Sequence, residues 1–213
     1  NTTAGFSIAT FTTLGSTIST VGHGLGVIPD MVIVKTIANS NGWFVYHKDV
    51  GNNKFLRLET TGAETTNAMW NDTTPTSSVF SINANNLGAS TSVAYCFADV
   101  QGFSKMGSYT GNGNNDGTFV YTGFSPSFVL YKDSTSVSDW VMKDNRRPGF
   151  NVIDDVLYPN LTNAEGSGAD IDFLSNGFKA RTTAANTNKS NAGFIYMAFA
   201  ENPFVATSGT SAI

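Results

Sequence analysis

Gly26-Val27-Ile28-Pro29-Asp30-Met31-Val32-Ile33-Val34-Lys35 returns as Gly123-Phe124-Ser125-Pro126-Ser127-Phe128-Val129-Leu130-Tyr131-Lys132, an offset of 97 residues. Each copy is a short β-branched and aromatic run entered from Gly-x-x-Pro, which reads as a strand. Pro suits the first strand position, where no ladder N–H is required. Gly26 and Gly123 are expected to supply a turn with positive φ. The same offset relates Gly5-Phe6-Ser7 to Gly102-Phe103-Ser104 and Trp43 to Trp140. Farther along, the offset drifts while the order survives. Phe80 matches Phe178, Ala63-Glu64 matches Ala164-Glu165, and Phe97-Ala98-Asp99 matches Phe199-Ala200-Glu201. Small insertions in surface loops produce such drift.

The expected architecture is all-β, as two tandem homologous antiparallel β-sandwich, jelly-roll-like units. Unit one spans residues 1–100 and unit two 101–204, with a polar tail from Val205 to Ile213. Trp43-Phe44-Val45-Tyr46, Phe55-Leu56-Arg57-Leu58, Val79-Phe80-Ser81-Ile82, Val93 to Phe97, Trp140-Val141-Met142 and Phe194 to Phe199 supply further strands. Gly111 to Gly117 reads as a hairpin turn between Ser108-Tyr109-Thr110 and Thr118-Phe119-Val120-Tyr121. The best helical stretch, Thr61 to Trp70, carries three Thr and one Gly and is weak. Trp43 and Trp140, at matching positions, are expected to share a core role.

Composition narrows the function. Gly, Ser, Thr and Asn make up 90 of 213 residues, yet 40 % apolar content with 16 Phe supports a packed core rather than disorder. A net charge of −4 with 12 scattered Lys and Arg argues against nucleic acid or an anionic membrane as partner. The one Cys, Cys96, precludes an internal disulfide framework and a Cys-rich zinc site. No apolar run approaches the ~20 residues of a membrane helix, so no membrane insertion is expected. The Asn-Thr-Thr start, without Met, suggests a segment of a longer chain.

No coherent catalytic set emerges, and the expectation is a protein that is not an enzyme and carries no cofactor or metal. His23 lies in Gly22-His23-Gly24, where imidazole is expected to bond loop backbone. Asp154 and Asp155 should point to opposite faces of a strand, whereas Asp170 and Asp172 could share one. These acids would serve a polysaccharide depolymerase, or with Asn176 a Ca²⁺ ion, but solvated loop acids are the plainer reading. Sugar sites need a flat aromatic ring bracketed by hydrogen-bonding side chains. Trp70 with Asn71 and Asp72, and Asp144 with Asn145 and Arg146, have those ingredients. The competing reading makes Trp70 an edge cap or a subunit contact.

Several of these segments resemble a virion protein family. They include His23-Gly24-Leu25-Gly26-x-x-Pro29, Trp43-x-Val45-Tyr46-His47, Pro75-Thr76-Ser77-x-x-Phe80 and Ala94-Tyr95-Cys96-Phe97-Ala98. Gly102 to Gly113, Phe173 to Lys179 and Ala198 to Phe204 belong to the same likeness. The family comprises tail-associated and virion structural proteins of marine tailed phages, cyanophages among them. The resemblance implies a C-terminal module of a longer virion protein, a virion or extracellular location, and copies of itself and other virion proteins as partners. A tail or fibre module touching host-surface polysaccharide is the leading expectation. A capsid decoration or an extracellular filament subunit is the alternative. Unit two departs from His-Gly-Leu-Gly with Tyr121-Thr122-Gly123, so a site using His23 would occur once per chain.

Overall fold

A computed structural model describes residues 1–15, 17–147 and 150–203 of the chain; the expected tail from Val205 to Ile213 lies outside them. Over the described residues the protein is predominantly β-strand, arranged in four separate sheets, and every strand pairing is antiparallel. Two compact units account for the chain. The first holds residues 1–58 and 64–99; the second holds 59–63 and the described residues from Val100 onward.

The first unit contains β1 (Phe6–Leu14), β2 (Ile18–Gly22), β3 (Met31–Thr36), β4 (Trp43–His47), β5 (Lys54–Arg57), β6 (Thr65–Thr66), β7 (Val79–Asn83) and β8 (Ala89–Phe97). Its large sheet runs β1-β8-β3-β4-β5-β6, and β2 pairs with β7 separately. The second contains β9 (Ser104–Thr110), β10 (Phe119–Tyr121), β11 (Pro126–Asp133), β12 (Trp140–Asp144), β13 (Ile153–Val156), β14 (Gly166–Leu174), β15 (Gly177–Ala180) and β16 (Gly193–Ala200), with a single helical turn α1 (Ala185–Asn188) before β16. Its sheets run β12-β11-β16-β9 and β10-β15-β14-β13. Read from the edge inward, β1-β8-β3-β4 and β9-β16-β11-β12 follow one order. In each, the last strand of the unit lies between its first strand and the strand entered from Gly-x-x-Pro.

Local chemistry explains the strand entries. Gly26 and Gly123 take φ of 75° and 87°, a region that a side chain disfavours, and Pro126 opens β11. Alternation then sorts the side chains. Val32, Val34, Phe44 and Tyr46 join one inner cluster with Trp70, Phe80 and Ala94. Val129, Tyr131 and Val141 join the other with Tyr109, Phe178, Phe194 and Tyr196.

Three expectations need correction. Trp43 and Trp140 occupy matching register positions, opposite Lys35 and Lys132, but alternation turns both away from the inner clusters. Trp140 is fully buried, whereas Trp43 is half-buried and stacks on Tyr95, so they do not share one core role. Gly111 to Gly117 is not a hairpin turn. It carries the chain out of the β9 sheet into the β10 sheet. The buried Asn188 holds it there: its Nδ2 donates to Asn112 Oδ1 (2.8 Å), Asn114 O (2.8 Å) and Thr182 O (3.0 Å), and its Oδ1 accepts from Asn112 N–H (2.9 Å). Asp154 and Asp155 do not take opposite faces in simple alternation. The register breaks between Ile153 and Asp155, which turns both Ile153 and Val156 into the core and leaves both acids outside it.

Candidate functional site

Trp70 does not offer an exposed ring. It ends a 3₁₀ turn (Ala68–Trp70), is 1 % exposed, meets Tyr46 edge-on at 5.7 Å, and donates its indole N–H to Lys54 O at 2.9 Å. The buried N–H is thereby satisfied and the ring closes the core of the first unit. Asn71 and Asp72 follow in left-handed conformations, φ 54° and 47°, and swing the chain outward. They therefore cannot bracket the ring.

The second candidate group is a self-contained loop clamp. Asp144 Oδ1 accepts from the backbone N–H groups of Arg146 (2.9 Å) and Arg147 (3.1 Å), and Oδ2 accepts from Arg147 Nε at 2.6 Å. Partial burial works against the charge, but these donors hold the Asp144 carboxyl below its usual range. Arg147 also pairs with Glu165 at 2.8 Å. Asn145 is anchored through its backbone N–H to Ser127 O, and Arg146 alone of the group is exposed. Asp144 thus shapes the loop, leaving Arg146 as the group that faces solvent.

The histidines are engaged structurally. His23 is buried, accepts Leu25 N–H at Nδ1 (3.2 Å), and so presents Nε2–H to Thr76 O at 3.0 Å. His47, also buried, accepts Asp49 N–H at Nδ1. Among the described residues, no cluster of three or more His, Cys, Asp and Glu side chains is placed to hold a metal ion. Asp170 and Asp172 do share a face of β14, and Asp172 is ion-paired with Arg181 at 3.3 Å.

That face carries the group of side chains best suited to a ligand. Val120, Phe178 and Phe173 point into the core from β10, β15 and β14, so their neighbours point out. One outward row runs Phe119, Lys179, Asp172; the next runs Tyr121, Gly177, Leu174. Phe119 is 45 % and Tyr121 64 % exposed. Lys179 bridges to Asp116, and this ion pair holds the exposed Asp116 carboxyl below its usual range. Gly177 keeps the floor flat: a Cβ there would stand 2.0 Å from Val120 O and 3.1 Å from the Phe119 ring. Two rings, two cations (Lys179 and Arg181) and three carboxylates (Asp116, Asp170 and Asp172) therefore share one open surface. The alternation Phe119-Val120-Tyr121 was the available sequence signal, because one apolar residue facing in obliges both rings to face out.

The chain belongs to the family described as Domain of unknown function (DUF7483), whose model matches residues 1–203. No curated protein and no solved structure matches it.

Proposed function

We propose that this chain is a non-enzymatic virion structural protein, a tail or fibre module of a marine tailed phage that contacts host-surface polysaccharide. In this reading it is a tandem duplication of one jelly-roll-like sandwich, working outside cells beside further copies of itself and other virion proteins. The shared order of β1-β8-β3-β4 and β9-β16-β11-β12 supports the duplication. The likeness to phage tail-associated proteins supports the location. The observation that carries the binding role is the outward ring pair, Phe119 and Tyr121, beside Lys179, Asp172, Arg181 and Asp116. Sugars present apolar C–H faces and hydroxyl edges, and this surface offers rings for the first and charged acceptors and donors for the second.

Binding at one such open surface is weak, and linked copies raise it through effective concentration. A multimeric display of the chain should adsorb to host cells and to arrayed host glycans. Replacing Phe119 and Tyr121 together by Ala should lower adsorption roughly tenfold or more, the loss expected for about 1.4 kcal/mol of ring contact. Thermal stability should be unchanged, because neither ring belongs to the core. Absence of adsorption by the unsubstituted multimer, or its persistence in the double variant, would remove the reading. Host polysaccharide incubated with the protein should keep its chain length.

A second reading, a capsid decoration or extracellular filament subunit without a ligand, is favoured by exposed aliphatic side chains at Leu14, Ile37 and Val137. Such groups suit subunit contacts. Labelled copies spread over the capsid or along a filament, rather than at the tail, would select it.

A further inference from the structure

β1 forms one margin of the six-stranded sheet. All nine residues from Phe6 to Leu14 face partners in β8, from Phe97 to Ala89, without a register shift. On the other side no strand pairs with it among the described residues. At its start the margin is covered, because Asn1 NH3⁺ donates to Phe6 O (2.7 Å) and Asn1 O accepts Phe6 N–H (3.2 Å). From Ser7 onward, about 25 Å of backbone presents outward N–H and C=O groups. Natural edges are blunted by brevity, charge, proline or a bulge. At several other margins those devices recur: β6 and β10 are two and three residues long, and β13 combines a register break with two Asp, while the uncharged β2 and β7 are only five residues each. β9 carries Lys105, and β12 carries Lys143 and Asp144. β1, Phe-Ser-Ile-Ala-Thr-Phe-Thr-Thr-Leu, has none of them.

Charge and shape point to one occupant. The first 29 residues contain no Asp, Glu, Lys or Arg, and β8 behind β1 is uncharged too. Two copies, each of net charge −4, can therefore meet at this margin without opposing like charges along the strand. Ile8 is 58 % and Leu14 78 % exposed, while Ala9 and Phe11 lie only half-covered at the border of the inner cluster.

We infer that β1 pairs antiparallel with β1 of a second copy of this chain, about a two-fold axis at Thr10. That register keeps Ser7 to Thr13 in the ladder and leaves the Asn1–Phe6 bonds in place. Ile8 then meets the partner's Thr12, and Thr10 meets its own equivalent. On the inner face Ala9 meets the partner's Phe11. Each is an apolar, β-branched or hydroxyl match of the kind that stabilises neighbouring strands. An edge contact of this extent falls below the ~1,200 Å² of standard stable interfaces, so the dimer forms at micromolar concentration and dissociates on dilution.

Sedimentation of the 213-residue chain from low to several hundred micromolar should show the mass rising from 22.6 kDa toward twice that value. Thr10→Lys, whose side chain faces solvent, should hold it monomeric with unchanged thermal melting. Facing residues in an antiparallel pair have Cα atoms about 4.5–5.5 Å apart, within disulfide reach. Oxidised Thr10→Cys should therefore cross-link into a dimer, and Thr12→Cys should not. The native Cys96 is buried and stays out of the reaction. A monomer at every concentration, a dimer that survives Thr10→Lys, or equal cross-linking at positions 10 and 12 would overturn the inference.

Discussion

β4 and β12 stand in one register and are filled differently. Tyr46 faces Val32 across its ladder, and Lys143 faces Val129 across the other, both at the 97-residue offset. In the first unit the Tyr46 ring packs on Trp70 and the core closes on aromatic carbon. In the second, a buried ammonium takes that place: Lys143 Nζ donates to Gly168 O (2.6 Å) and Asp154 O (2.9 Å). A sheet position thus accepts either an aromatic ring or a cation, provided that the cation finds carbonyls at the end of its stem.

Other pairs differ by degree. Lys35 Nζ donates to Thr36 O (2.8 Å), Asn39 O (3.1 Å) and Asn41 O (2.7 Å), and Lys132 Nζ donates to Asp133 O (2.5 Å) and Ser136 O (3.3 Å). Both ammonium groups organise the loop that follows their strand, yet only Lys132 is fully buried. The ends of the ladders diverge in charge. Lys48 pairs with Asp30 (2.9 Å) and Asp99 (3.2 Å), whereas the offset places Ser127 and Asn145 at the positions of Asp30 and Lys48. One backbone bond survives that change: Lys48 N–H to Asp30 O corresponds to Asn145 N–H to Ser127 O.

The sharpest way to break the contrast is Trp70→Ala. Truncating a fully buried Trp should cost about 3–5 kcal/mol in urea unfolding. A loss under about 1 kcal/mol would mean that the Tyr46–Trp70 contact does not close the first core.

Asn188→Ala comes next. The first unit passes from its large sheet to its small one between Leu14 and Ile18, while the second uses a long loop tied to Asn188. Leaving those buried groups unpaired should cost about 2–3 kcal/mol and raise proteolytic nicking at 111–117.

Titration separates the units more finely. Burial pushes Lys132 and Lys143 down to about 8 from 10.5. Between those values the unfolded chain binds more protons than the folded one, so stability rises with pH. The penalty is fully present below about pH 8. From pH 8 to 9 the gain should be about 1 kcal/mol per lysine, and Lys143→Met should remove its half. Above pH 9 the first unit opposes the trend, because burial pushes the Cys96 thiol up to about 11. Its unfolded form releases a proton that the folded form retains, and stability is lost. A flat profile from pH 8 to 9 would contradict the buried-ammonium account.

The smallest effect belongs to the charged corner. Asp30→Asn should cost no more than about 1 kcal/mol, fading with added salt, because Lys48 is about one-third exposed.

The strands were legible because their apolar runs are bounded by Gly, Pro and Asn, whose backbone preferences act locally. Gly26 and Gly123 were legible for the same reason. Trp70 was not: its neighbours Asn67, Asn71 and Asp72 are polar, while its burial is decided by Tyr46 and the carbonyl of Lys54, distant in sequence. The loop 111–117 was misread likewise, since Asn-Gly chemistry suggests a hairpin and the anchoring Asn188 lies far downstream. Lys143 offered no sign of burial, because Lys is almost always exposed and only the folded chain brings the carbonyls of residues 154 and 168 to it. Phe119 and Tyr121 were legible in principle, since their alternation about Val120 needs no distant residue.

The positions of β8 and β16 bear on biosynthesis. As a ribosome feeds out either unit, β1 and β3, or β9 and β11, emerge first and have no direct ladder to each other. Each waits with an unmatched margin for the strand made last, which must slot between them. Nascent intermediates of this kind are slow to complete and prone to aggregate. Premature termination just ahead of Gly193 would accordingly remove the seam of the β12-β11-β16-β9 sheet and leave β9 unjoined to β11 and β12.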